Sequence, residues 1–287
     1  MDSYDIRPWV QATQESSERQ FREAVHTVLV AIANAPHLHT QMLMKGGILL
    51  ALQYRSVRHT RDIDFSTPEK YQVFELEPFL SELSQALALA VAQLDYGLDC
   101  RVQSHEVKPP RPDATMPTLK VRIGYAYQDD PKAHRRLLNR RSTNIVEVDY
   151  SFNEPNNEEM TVIELIEGGT LRAYSLVEVI AEKYRAMLQQ ETRGRVRRQD
   201  AYDLYHLLRW GLAGTAGERR SVLDSLQLKA DARTMTIDRD SILREEVIRR
   251  SRADYPSLQP EVEEPLPDFD EVYRVVREFY QSLPWER

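Results

Sequence analysis

Between Gln14 and Ala33 apolar residues return every three or four positions, with Phe21, Val25, Val28, Leu29 and Ile32 on one stripe. That period predicts an amphipathic helix that Pro36 ends. The next run, Met42–Tyr54, is almost continuously apolar and is broken by Gly46-Gly47, after which an apolar helix is expected. Arg61–Ser66 is short and alternates polar with apolar positions, which predicts a strand. Glu69–Gln93 returns to helical spacing, with Phe79, Leu80, Leu83, Leu87 and Val91 along one side. Strand-like runs follow at Leu98–Val107, Thr118–Tyr127, Asn144–Phe152, Thr161–Ile166 and Leu171–Tyr174. The proline-rich connector Pro109–Pro117 cannot belong to a central strand.

Beyond Ser175 the pattern is helical only. Ser175–Gln190 opens with a serine in the N-cap position and Glu178 three residues on, the signature of a capping box. Asp200–Leu212 and Glu271–Leu283 predict two further helices, the second behind a proline- and acid-rich linker, Ser257–Phe269. Strands mixed with helices, then helices alone, predict an α+β fold. We expect a mixed α/β part over residues 1–174 and a helical part over 175–287, without internal repeats.

Composition narrows the class. With 41% apolar and 29% charged residues among 287, the chain is an ordinary globular one. A net charge of −7 excludes a surface that is basic throughout, while leaving room for a local basic groove. Cys100 is the single cysteine, so an internal disulfide and a Cys-rich zinc site are both excluded. The start MDSYDIRPWVQ lacks the basic and apolar stretches of a secretory signal, and no apolar run approaches the roughly 20 residues of a membrane span. A cytoplasmic protein with no membrane contact is expected.

The candidate chemistry lies in three features. On a strand, Asp62 and Asp64 project to one face while Ile63 and Phe65 go to the other. Two neighbouring carboxylates repel unless a cation lies between them, and Mg²⁺ suits one or two carboxylates plus phosphate oxygens. An isolated Asp-x-Asp is more often a solvated strand edge. A second strand strengthens the metal reading: Glu147 and Asp149 share one face, opposite Val146, Val148 and Tyr150. One of these two, which the pattern leaves open, would complete a three-carboxylate site for one or two metal ions and an activated hydroxyl. Gly46-Gly47 before a helix lets phosphates approach the backbone, with Lys45 beside them to neutralise charge. The plain alternative is a tight turn and a surface lysine.

In this order, MLMKGGILLALQY, RHTRDIDF, IVEVDYS, EVIAEKYRAML and RRQDAYDLYHLL resemble the AbiEii-type nucleotidyltransferases, the toxin halves of type IV (abortive-infection) toxin–antitoxin pairs. The resemblance runs from about Met42 to Leu208. It implies a nucleotidyltransferase-like mixed sheet with flanking helices and a helical C-terminal part. It also implies transfer of a nucleotide from an NTP to an acceptor, with tRNA the expected one, and a cognate antitoxin with a DNA-binding domain that need not form a tight complex. Residue by residue, Gly46 and Gly47 match the phosphate-binding turn, and Asp62 and Asp64 the metal pair. Glu147 matches the third carboxylate, and Thr60 the hydroxyl residue upstream of the pair. Lys183 matches a phosphate-contacting lysine, and Asp203, with Asp200 beside it, a catalytic aspartate. The chain departs from the family at Ile48, where Ser or Thr is usual, which leaves phosphate binding to backbone N–H groups and basic side chains. Two basic clusters, Lys132–Arg141 and Arg193–Arg198, would form a positive rim if both flank one cleft. Competing readings keep the chemistry but change the acceptor to a protein or small molecule, or make the fold a catalytically degenerate binding module.

Overall fold

The structure is a computed structural model that describes residues 3–111, 113–157, 160–209, 211 and 213–285. The chain forms two compact units. The first comprises Met1–Leu52, Arg61–Glu154 and Met160–Ala173; the second comprises Gln53–Thr60, Pro155–Glu159 and Tyr174–Arg287.

In chain order the first unit contains helices α1 (Arg7–Gln11), α2 (Ser16–Asn34) and α3 (Leu38–Gln41), strand β1 (Leu43–Lys45), helix α4 (Gly46–Gln53) and strand β2 (Asp62–Ser66). Helix α5 (Leu76–Gln93), strands β3 (Leu98–Lys108) and β4 (Thr118–Tyr127), helix α6 (Pro131–Leu138), and strands β5 (Ile145–Ser151), β6 (Thr161–Glu164) and β7 (Thr170–Ala173) follow. The strands form one seven-stranded sheet in the order β3-β4-β5-β2-β1-β7-β6. Strand β2 pairs in parallel with β5, and β1 with β7; the other neighbours are antiparallel. The fold is α+β with the mixed sheet that the sequence predicts.

Alternation along the central strands separates two faces. Ile63, Phe65, Val121, Ile123, Val146, Val148 and Tyr150 are wholly buried on one. Phe79 of α5 stacks on Tyr150 with ring centroids 5.7 Å apart, and α2 packs along α5. Burying each such side chain contributes roughly 1.5–3 kcal/mol, so this face anchors the strands. The polar positions are thereby fixed on the other face.

Two elements differ from expectation. Helix α5 begins at Leu76 instead of Glu69, behind a short 3₁₀ turn at Tyr71–Val73. Pro78 explains this: it lacks an N–H and its ring clashes with the carbonyl four residues back, so it must sit in a helix's first turn. Between β4 and β5, where the sequence analysis marks only a basic cluster, α6 forms. Asp130 caps it by accepting from the N–H groups of Lys132 and Ala133, and Pro131 occupies the first helical position. Its far end closes with Arg140 in the left-handed region (φ 55°), Arg141 N–H donating to the Arg136 carbonyl at 2.8 Å and Arg140 N–H to Leu137 at 2.9 Å. This is a Schellman turn with an arginine where glycine is usual.

The second unit contains α7 (Leu176–Leu188), α8 (Arg198–Arg209), α9 (Ala216–Asp231), α10 (Glu245–Arg252) and α11 (Phe269–Gln281). Trp210 and Leu212, at the end of the predicted Asp200–Leu212 helix, lie outside the described residues. Ser175 caps α7 as predicted, accepting from Glu178 N–H at 3.3 Å. The Glu178 side chain does not close the box. It turns inward to a wholly buried pair with Lys229 at 2.7 Å and accepts from the Ser225 hydroxyl at 2.6 Å. Among the described residues no helix is long and apolar enough to cross a membrane.

Candidate active site

The strand register assembles the polar face of the first unit. Asp62 stands opposite Glu147 and Asp64 opposite Asp149 across the parallel β2–β5 pair. On the next strand, Lys120 pairs with Asp149 and Arg122 with Glu147, while Lys45 of β1 pairs with Asp64. Paired positions project to the same side of a sheet, so all seven side chains share one face.

Asp62, Asp64 and Asp149 are half-buried, and each offers a carboxylate oxygen within 4.8 Å of the others. Three hard oxygen donors at that spacing fit a divalent cation such as Mg²⁺. The third carboxylate of the group is Asp149. Glu147 is not part of it: its oxygens accept from Lys120 Nζ and, at 3.3 Å, from Arg122 Nε. Both residues face the same way, so alternation alone could not choose between them. Lys120 bonds to both carboxylates, and Arg122 also reaches Glu147.

The charges divide accordingly. Hydrogen bonding to Lys120 holds the Glu147 carboxyl below its ordinary range. Burial pushes Asp149 up, against the opposing pull of Lys120 and with added repulsion from Glu147 and Asp62. Lys120 reaches Asp149 as well, at 2.9 Å; burial works against its ammonium, but the hydrogen bonds to Glu147 and Asp149 outweigh it and raise it.

Gly46 is required on two grounds. Its φ is +74°, and a Cβ there would lie 2.0 Å from Asp64 Oδ2 and 2.7 Å from Asp64 Cγ. The Asp64 carboxylate therefore rests directly against the glycine that opens α4. Gly47 follows as a buried residue of the first helical turn, and Ile48 is wholly buried, its side chain spent in the core. Lys45 is buried and lies 3.8 Å from Glu154. Thr60 is half-buried just before β2 and is assigned to the second unit.

Lys183, Asp200 and Asp203 form a separate cluster within the second unit. Lys183 Nζ donates to Asp203 Oδ2 at 2.6 Å and to Asp200 Oδ1 at 3.2 Å. Arg58 grips Asp203 with both arms of its guanidinium, Nε to Oδ1 at 2.9 Å and Nη2 to Oδ2 at 3.0 Å. Burial pushes the Asp203 carboxyl up, but the two cations outweigh it and hold it well below the usual range. Burial likewise opposes the Lys183 charge, and the two aspartates reverse that. Glu261 lies 3.7 Å from Arg58 and 3.5 Å from Arg198.

Sequence reasoning did not find Lys120, Arg122 or Arg58. The first two carried a usable signal, alternating with Val121 and Ile123 on β4. Arg58 carried none, because its partner lies on a helix far along the chain.

The sequence profile described as "Nucleotidyl transferase AbiEii toxin, Type IV TA system" matches residues 27–275. Among solved structures, MenT4, a nucleotidyltransferase toxin from Mycobacterium tuberculosis H37Rv, is similar with a TM-score of 0.54 and 16% identity, over 96% of this chain and 87% of that one. JHP933 from Helicobacter pylori is similar with a TM-score of 0.51 and 16% identity, over 94% and 93%. At such identities the likeness speaks for the fold. No curated protein sequence matches the chain.

Proposed function

The chain belongs to the AbiEii nucleotidyl transferase toxin family of type IV toxin–antitoxin systems, and from that premise we propose that it transfers a nucleoside monophosphate from an NTP, with Mg²⁺, to a hydroxyl of RNA, tRNA in the first instance. The observation that carries this reading is the convergence of Asp62, Asp64 and Asp149 oxygens within 4.8 Å. A toxin of this kind has an antitoxin and a nucleotide substrate.

We assign metal holding to Asp62, Asp64 and Asp149, with Asp149 in the place that the family resemblance gives to Glu147. A divalent cation held there would supply positive charge to the phosphates of the donor nucleotide. Everything else falls to the chain's own groups. Gly46 lets Asp64 lie against the backbone, and the N–H groups opening α4 at Gly46 and Gly47 suit phosphate oxygens. Ile48 offers no hydroxyl to that turn. Asp149, whose carboxylate faces the same space as Asp62 and Asp64, accepts the proton of the attacking hydroxyl. Lys120 bonds to Asp149 and to Glu147 and so fixes both carboxylates beside the group. In the second unit, Lys183 gives two of its three donors to Asp200 and Asp203. Asp203 positions Lys183 and Arg58.

The test is incubation of the protein with each labelled NTP, Mg²⁺ and total tRNA, beside Asp64→Asn. Label on RNA with the wild type and at least a hundredfold less with Asp64→Asn is expected. Absence of label with every NTP, or full labelling by Asp64→Asn, would overturn the reading. Label on protein or a small metabolite, with RNA untouched, would replace the acceptor.

A further inference from the structure

Helix α6 and its closing turn carry Lys132, Arg135, Arg136, Arg140 and Arg141, all exposed, on a chain of net charge −7. Several exposed arginines elsewhere have partners, as Arg249 has Glu246, Arg252 has Asp270 and Arg274 has Glu278. These five have no ion pair among the described residues. Lys132, Arg135 and Arg136 stand three and four apart, on one side of the helix. His134 is turned away from them, to Asp99 at 2.9 Å.

The location of this surface is fixed by Leu137 and Gly124. A Cβ on Gly124 would lie 3.0 Å from Leu137 Cδ1 and 3.0 Å from Ser142 Cβ, so the helix is seated where β4 lacks a side chain. Gly124, Arg122 and Lys120 alternate along one side of β4 and pair with Ile145, Glu147 and Asp149. Helix α6 therefore rests on the sheet face that bears the carboxylates. At about 3.3 Å per residue, its seat at Ile145 is roughly 7 Å along β5 from Glu147 and about 13 Å from Asp149.

We propose that α6 and the turn Asn139–Arg141 are the docking surface for the phosphate backbone of an RNA whose reacting hydroxyl is presented to Asp62, Asp64 and Asp149. The word "reacting" rests on the transfer reading above; the docking itself does not. Four of the five cations are arginines, whose planar forks match phosphate oxygens. A protein partner would need an apolar centre inside the charged rim, and only Leu138 is exposed here. Arg140 is kept in a left-handed conformation that glycine adopts freely, so a cation stands at this turn against the local backbone preference.

Fluorescence anisotropy of labelled tRNA, with Mg²⁺ and no NTP, compares the wild type with R135Q/R136Q/R141Q and with R140G. Three lost phosphate contacts should flatten the slope of log K against log salt by roughly 2–3 and weaken binding about a hundredfold at 0.15 M. R140G should weaken binding several-fold while melting no lower than the wild type, which separates docking from folding. Mn²⁺ affinity at the carboxylates should stay unchanged in both. Unchanged tRNA affinity and salt slope in the triple variant overturn the proposal. So does a loss of poly-glutamate binding with tRNA binding intact, which would give the surface to an acidic polypeptide. Tight, salt-dependent tRNA binding by a wild type that labels nothing sustains the docking surface and removes the transfer reading instead.

Discussion

Replacing Asp203 by Asn should unsettle the second unit before it touches any chemistry. The carboxylate is wholly buried and accepts three hydrogen bonds, two from Arg58 and one from Lys183. Asn keeps the shape but removes the charge, so two cations lose their shared counter-ion. Lys183 retains Asp200 at 3.2 Å, and Arg58 retains Glu261 at 3.7 Å and the His59 carbonyl at 3.4 Å. Removing one partner of a buried pair costs about 3–5 kcal/mol, which for a chain of this size lowers the melting temperature by on the order of 10 °C. Urea unfolding followed by far-UV circular dichroism at pH 7 measures it.

The pH dependence follows from the same cluster. The Asp203 carboxyl is depressed in the folded state, so its stabilisation is present above the unfolded value of about 3.9 and is lost as pH falls through the lower, folded value. The gap between wild type and D203N should be flat from neutrality to about pH 5 and should close below about pH 4. A D203N protein within about 1 kcal/mol of the wild type at pH 7 would refute the reasoning, as would a gap that widens in acid.

Two further outcomes concern the carboxylates. Gly46→Ala puts a methyl where Asp64 lies and forces a left-handed alanine, at a cost of roughly 1–2 kcal/mol. Mn²⁺ titration followed by electron paramagnetic resonance should show affinity down at least tenfold, and wild-type affinity would remove Asp64 from the metal group. Asp149→Asn should lower nucleotide transfer at least a hundredfold, whereas Glu147→Gln, outside the group, should lower it only a few-fold. Equal losses in the two variants would return Glu147 to the site.

The two faces of β2 and β5 were legible because period-two alternation is local: Ile63 and Phe65 must go inward if the strand is to hold, and Asp62 and Asp64 then go outward together. Which of Glu147 and Asp149 joins them was not legible. Both occupy the correct face, and they differ only in what the folded register brings alongside, where Arg122 also reaches Glu147. Helix α6 was hidden for a different reason. Only Leu137 of its eight residues is buried, so no apolar stripe announces it, although Asp130-Pro131 marks its start. The start of α5 could have been placed from Pro78 alone. The Arg58–Asp203 pair could not, because no local pattern relates a loop arginine to a helix over a hundred residues away.

The parallel alignment of β2 with β5 bears on how such a chain is made. Parallel neighbours need a crossover, and here the β3–β4 hairpin and α6 are threaded into it. The ribosome therefore releases Asp62 and Asp64 well ahead of Asp149. Until β4 and β5 follow, the chain holds these two aspartates without Asp149 and without Lys120. Whatever chemistry the three carboxylates support thus waits until β5 has joined the sheet.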